Sequence, residues 1–166
     1  MSLTIDGVDS QSLAVAAPVT ALPISGYASL FSVPDLSGDR VMLGAFTRSL
    51  QARGPSGIRM LWNHDPAEPI GVWTAIYEDA HGLRVEGRLT ANVERAASLS
   101  ALIADGAVDG LSIGFHTVRA DKAAGRAGRR LIEVDLWEVS LVAFPMQPGA
   151  RLDPLRLGAG GYAVPS

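Results

Sequence analysis

The sequence predicts a mainly β protein with helices (α+β), an antiparallel β-barrel of about six to seven short strands surrounded by helices. Three observations lead there. Short runs of alternating apolar and polar residues recur along the chain, each closed by Gly, Pro, Asn or Asp. Only two stretches, near 44–52 and 92–105, carry helical spacing. The chain has 166 residues, 48% of them hydrophobic, enough for one core, and no repeat or second core interrupts it.

Taken in order, residues 1–24 lack periodicity and are expected to be a mobile arm. Gly26–Val33 alternates as a first strand, ended by Pro34 and the turn-forming run Asp35-Leu36-Ser37-Gly38-Asp39. Gly44-Ala45-Phe46 opens a short helix through Leu50, broken by Gly54-Pro55-Ser56-Gly57. Ile58–Trp62 is a second strand, followed by a loop at Asn63-His64-Asp65-Pro66, and Pro69–Tyr77 is a third. The stretch Glu78–Gly82 makes a hairpin turn into a half-exposed fourth strand, where Leu83, Val85 and Gly87 alternate with Arg84, Glu86 and Arg88. Asn92 is placed to cap a helix that runs to about Asp105, with Ala96, Leu99, Leu102 and Ile103 as its apolar stripe and Gly106 as its C-terminal stop.

The last two strands are Gly110–Val118 and about 132–142. Between them lies a glycine-rich basic stretch with Arg119, Lys122, Arg126, Arg129 and Arg130, expected to be the solvated tip of a long hairpin. In the final strand Trp137, Val139 and Leu141 share one face and Glu138 and Ser140 the other. Pro145 and Pro148 end it, and 153–166 is expected to be a flexible tail. The folded domain is thus expected over 25–152.

Composition narrows the chemistry. The formal net charge is −3, which does not suit a nucleic-acid binder. Cysteine is absent, which removes disulfides, thiol nucleophiles and Cys-ligated zinc. No apolar run approaches a membrane span. Asp6 and Asp9 stand where an export signal would be basic, so none is expected. Histidine chemistry has three candidates: His64, His81 and His116.

The stretch Gly110-Leu111-Ser112-Ile113-Gly114-Phe115 draws attention because alternation turns Ser112, Gly114 and His116 to one small, polar face. It is not a strand-to-helix nucleophile elbow, since Leu111 replaces that motif's first glycine. A hairpin tip centred near Gly125 sets Ser112 opposite Glu138, where cross-strand side chains meet. A serine hydroxyl becomes a nucleophile only beside a base, and the base needs a group that fixes its tautomer. His64, on a loop after an apolar strand, is the best-placed base. His116 is four residues from Ser112, about 13 Å along a strand, too far to serve directly. His81 reads as ordinary surface. A zinc site of His64, His81 and Asp65 lacks ligand spacing, so neither metal nor cofactor is expected.

Five fragments, in order, resemble the prohead maturation protease family of tailed phages. They are Gly26-Tyr27-Ala28, Gly44-Ala45-Phe46, Leu61-Trp62-Asn63-His64-Asp65 with Pro69-Ile70-Gly71, the Ser112 stretch, and Leu136-Trp137-Glu138-Val139-Ser140-Leu141-Val142 with Pro145. The resemblance spans about residues 24–152. It implies a fold similar to the herpesvirus capsid protease (assemblin). It implies a serine endopeptidase acting inside the immature capsid (prohead), in the bacterial cytoplasm. There it would digest scaffold, or the scaffolding segment of the major capsid protein, and itself. By the same resemblance Ser112 is the nucleophile, His64 the general base and Glu138 the third member, with Asp65 competing for that place. The oxyanion donors would be main-chain N–H groups of Met146, Gln147 or Gly149. The implied partners are the major capsid protein, scaffold and a second copy of the chain, with no nucleic acid or membrane. The short run beyond Arg151 implies that scaffold lies on another chain or on the capsid protein. Two other readings remain open: a non-catalytic module that binds capsid or scaffold protein, and a metal-dependent hydrolase. Whether the particle is a phage, a prophage remnant or a gene-transfer particle is also open.

Overall fold

The computed structural model describes residues 21–155 apart from 123–124 and 126–127. Most of the expected arm and tail, and Arg126 of the basic tip, lie outside the described residues. Seven strands form one sheet: β1 (Pro23–Leu30), β2 (Arg40–Val41), β3 (Arg59–Trp62), β4 (Asp65–Glu78), β5 (Gly82–Leu89), β6 (Gly110–Lys122) and β7 (Arg129–Val142). Two helices accompany them, α1 (Thr47–Arg53) and α2 (Glu94–Ala104).

The strands pair in the order β1-β5-β4-β3-β7-β2, and β6 also pairs with β7. β7 is the hub. It binds β6 antiparallel along nearly its whole length, while β2 and β3 lie parallel to it on its other side. The sheet is therefore mixed, where alternation alone suggested an antiparallel one. Parallel neighbours need long crossovers, and here the chain between β3 and β7 supplies one.

The sheet curls until β1 and β6 approach, but they are bridged by an irregular segment. Tyr27 N–H donates to Arg151 O at 3.1 Å, Leu111 N–H to Ala150 O at 2.9 Å and Leu152 N–H to Asp109 O at 2.7 Å. Gly26 permits this approach: a Cβ there would sit 2.3 Å from Arg151 O. The mainly β expectation holds. The finer expectation, a barrel surrounded by helices, does not describe a curled sheet bridged by 150–153 and flanked by two helices. The segment pairs with both neighbours only through single bridges, Leu152 with Gly26 and Arg151 with Gly110.

Helix boundaries also differ from expectation. α1 starts at Thr47 because Glu78, from β4, caps it: Phe46 N–H and Thr47 Oγ1 donate to its carboxylate at 3.1 and 2.9 Å. Asn92 does not cap α2. It takes a left-handed conformation (φ 62°), and the cap position is Val93, without a side-chain bond. Asn tolerates that conformation at modest cost. Ala96, Leu99 and Ile103 are buried as expected, but Leu102 is exposed. The core is built from Phe46, Met60, Ile70, Leu99, Leu111, Leu136, Val139 and Leu141, so β6 and β7 are fixed from beneath.

Candidate active site

β3 and β4 form a hairpin whose two loop residues are Asn63 and His64, both with positive φ (49° and 61°). This is the primed turn that matches strand twist, with positive φ at both residues, a conformation uncommon outside glycine. Two bonds from β7 hold it: Asn63 N–H to Leu141 O at 2.9 Å and His64 N–H to Ser140 Oγ at 3.1 Å. The conformational cost at His64 is thus met by a strand that also carries the other candidate groups.

Glu138 reaches His64 from β7. Its Oε1 accepts a hydrogen bond from His64 Nδ1, and its Oε2 accepts one from Ser140 Oγ at 2.5 Å. The three groups close a ring: His64 main chain to Ser140, Ser140 to Glu138, Glu138 to the His64 imidazole. The carboxylate is 12% exposed and the imidazole 43%. Its hydrogen bond to Glu138 raises the His64 pKa above the usual imidazole value, against a smaller opposing effect of burial. With Nδ1 donating, Nε2 is left as the basic nitrogen.

Ser112 lies on β6, largely buried, with Ser140 as its cross-strand partner. The expected Ser112–Glu138 pairing is corrected here: Glu138 stands opposite Gly114. The slip is two residues, so both side chains keep the same face. One residue of the slip comes from the tip, where Lys122 pairs with Arg129, and the other from a bulge that leaves Trp137 unpaired. Gly114 is what admits the carboxylate, since a Cβ there would lie 2.1 Å from Glu138 Oε1. Among the described residues no hydrogen bond joins Ser112 to His64. Such bonds often tighten only when substrate is present.

The other candidates separate. Asp65 Oδ1 accepts from Ala67 N–H at 2.8 Å, so it caps its own turn. His81 lies edge-on to Tyr27, ring centroids 6.2 Å apart. His116 packs on Trp137 at 4.2 Å. Trp137 is therefore not on the core face with Val139 and Leu141; it is 46% exposed. The expected basic tip is corrected as well: Arg119 and Lys122 lie in β6 and Arg129 and Arg130 in β7, and Arg129 is bound to Asp39 at 2.6 Å. Among the described residues, no cluster of His, Asp or Glu could hold a metal ion. No helix there is long and apolar enough to cross a membrane.

Two participants were not singled out in the sequence, Ser140 and the room made by Gly114. The shared parity of Ser140 with Glu138 was readable; the need for a missing Cβ was not. The 145–149 loop is fixed beside Ser112 by Gln147. Its Nε2 donates to Leu30 O and Val33 O at 3.0 and 2.9 Å, and its Oε1 accepts from Leu30 N–H at 2.6 Å. A small pocket there is lined by Ser29, Ser112, Ile113, Met146 and Gln147.

An imidazole tied through Nδ1 to a carboxylate, with a serine on the next strand, is the side-chain set of serine hydrolases. The chain belongs to the Caudovirus prohead serine protease family, whose sequence model matches residues 11–158. It is similar to the prohead protease of Enterobacteria phage HK97, 35% identical over 133 residues, covering 79% of this chain and 59% of that protein. The chain thus spans about three-fifths of the length of that relative. It is also similar to the capsid polyprotein of Pseudomonas phage PAJU2, 31% identical over 106 residues, covering 60% of this chain and 16% of the polyprotein. In fold it is similar to Kaposi's sarcoma herpesvirus protease solved with a hexapeptide phosphonate inhibitor. That match has a TM-score of 0.52 and 16% identity, covering 80% of this chain and 64% of the other.

Proposed function

We propose that this chain is a serine endopeptidase of capsid maturation. It cleaves scaffold, or the scaffolding segment of the major capsid protein, inside the prohead, within the bacterial cytoplasm. Family membership and the likeness to a prohead protease and a capsid polyprotein support the setting. One observation carries the chemistry: the Glu138 carboxylate is bonded to His64 Nδ1 on the face that Ser112 shares.

His64 Nε2 takes the Ser112 hydroxyl proton as Oγ attacks the scissile carbonyl carbon. Glu138 holds the ring and stabilises the imidazolium. The tetrahedral intermediate collapses as the C–N bond breaks, and the imidazolium gives its proton to the leaving amine. Water then attacks the acyl-enzyme, with His64 again taking a proton, and Ser112 leaves protonated. The oxyanion is received by main-chain N–H groups of the 145–149 loop, from Met146, Gln147 or Gly149. The Gln147 side chain is spent on holding that loop.

The test is intact mass after treatment with a fluorophosphonate, on wild type, Ser112→Ala and His64→Ala. One adduct, mapped to Ser112 and lost in both variants, is the expected result. An adduct elsewhere, or none on folded wild type even with capsid protein present, overturns the assignment.

A further inference from the structure

The pocket beside Ser112 has a use that the hydrolytic steps leave open. Ser112 itself borders it, together with Met146 and Gln147 of the loop that receives the oxyanion. Its walls are apolar, from Ala28, Ile113, Phe115 and Leu131. It lies where the curl of the sheet brings β1 up to β6, on the edge of β6 opposite β7. The irregular segment bridges that edge only at Gly110 and Leu111. Among the described residues, no strand pairs with it farther along.

His64 comes to Ser112 from the other side. Glu138 and Ser140, which hold it, both belong to β7. The imidazole protonates the leaving amine, so the leaving half of a substrate passes beside His64. The acyl half therefore lies on the opposite side, along the unpaired edge of β6, where an extended peptide can add as a strand. Its last residue carries the attacked carbonyl. With that carbonyl held between Ser112 and the 145–149 loop, its Cα is one bond away, beside the pocket that the same residues border.

Volume sets what can enter. The pocket holds about 50 Å³. A cavity of about 150 Å³ accommodates benzene, so about two or three carbon atoms fit here. The side chains of alanine and valine are small enough; a phenyl ring or a lysine chain is not. Nor is the pocket built for a cation, since its two carboxylates are engaged. Asp39 is bound by Arg129 at 2.6 Å, and Asp35 Oδ1 accepts from the N–H groups of Ser37 and Asp39 at 2.8 and 3.0 Å.

We infer that this pocket is the subsite for the residue just before the scissile bond, and that it selects a small aliphatic side chain, with Ile113 and Phe115 setting its size. The inference rests on the protease reading above and names part of its specificity.

A peptide library made from a digested bacterial proteome is treated with wild type, Ile113→Ala and Phe115→Leu, and the cuts are mapped by mass spectrometry. Synthetic peptides differing only by Ala, Val, Leu, Phe or Lys before the cut then give kcat/KM ratios, and thermal unfolding checks the fold of each variant. Wild type is expected to favour Val over Phe about tenfold or more. Ile113→Ala removes most of one wall and is expected to move the optimum from Val to Leu. Phe115→Leu gives a second, milder enlargement with the same direction of change. A merely structural role lowers all rates together and leaves the ratios intact. Unchanged ratios in a folded variant overturn the subsite. A wild type labelled at Ser112 that prefers Phe or Lys at this position, or shows no preference, overturns it without any variant and leaves the protease reading standing. A wild type neither labelled nor active removes both.

Discussion

Gly114→Ala tests how the carboxylate is seated. The added Cβ would lie 2.1 Å from Glu138 Oε1, 2.7 Å from Cδ and 2.8 Å from Cγ. Ordinary van der Waals contact begins near 3.4 Å, so the carboxylate must withdraw by more than 1 Å. Glu138 cannot make that move and keep both His64 Nδ1 and Ser140 Oγ. A misplacement of about 1 Å at a reacting site costs on the order of 10²-fold, and loss of the orienting carboxylate on the order of 10⁴-fold. The expected fall in kcat lies between these, roughly 3–5 kcal/mol of transition-state stabilisation. The assay is the rate of fluorophosphonate labelling at Ser112 together with peptide hydrolysis, with thermal unfolding to confirm the fold. A double-mutant cycle isolates the cause: if Gly114 acts through Glu138, adding Gly114→Ala to Glu138→Ala changes little. Wild-type labelling in Gly114→Ala, or full additivity in the cycle, would refute the reasoning.

Other outcomes follow from the same site. Because Glu138 raises the His64 pKa and the base must be neutral, activity should climb with pH only above the ordinary imidazole range near 6.5. Glu138→Gln should move that rise to lower pH while cutting the plateau, as read from pH–rate profiles. The raised pKa also means the folded state holds the His64 proton more tightly. Its stabilising contribution is present below about pH 6.5 and is lost as pH rises through the folded value, which pH-dependent denaturation of wild type against His64→Ala would detect. Ser140→Ala leaves both Glu138 Oε2 and the His64 N–H short of a partner, and should cost about 1–3 kcal/mol by denaturant melts as well as slowing Ser112 labelling. Leu99→Ala, on the buried face of α2, should cost about 2–5 kcal/mol by the same melts. Values under 0.5 kcal/mol would mean that α2 is not packed as described.

Local rules carried the sequence reading a long way. Alternation located every strand but the two-residue β2, punctuation by Gly and Pro located the turns, and the Ser112 and Glu138 parity put both on one face. His64 on a turn after β3 was legible for the same reason. Each is a property of a few consecutive residues, so the sequence contains it. Nothing local reveals the long-range partners. Three differences trace to them: Glu78 capping α1 from β4, the parallel pairing of β3 and β2 on β7, and closure through 150–153. The hairpin register was the instructive case. The tip's position and one bulge together moved Glu138 from Ser112 to Gly114, and the bulge turned Trp137 outward, because core packing of Leu136 and Val139 has to be satisfied on both sides of the extra residue. An even slip preserved the face that the chemistry needs. Composition and alternation fixed which residues could share that face. Only tertiary packing decided which of them touch, because contact depends on register, and register is set by the whole sheet.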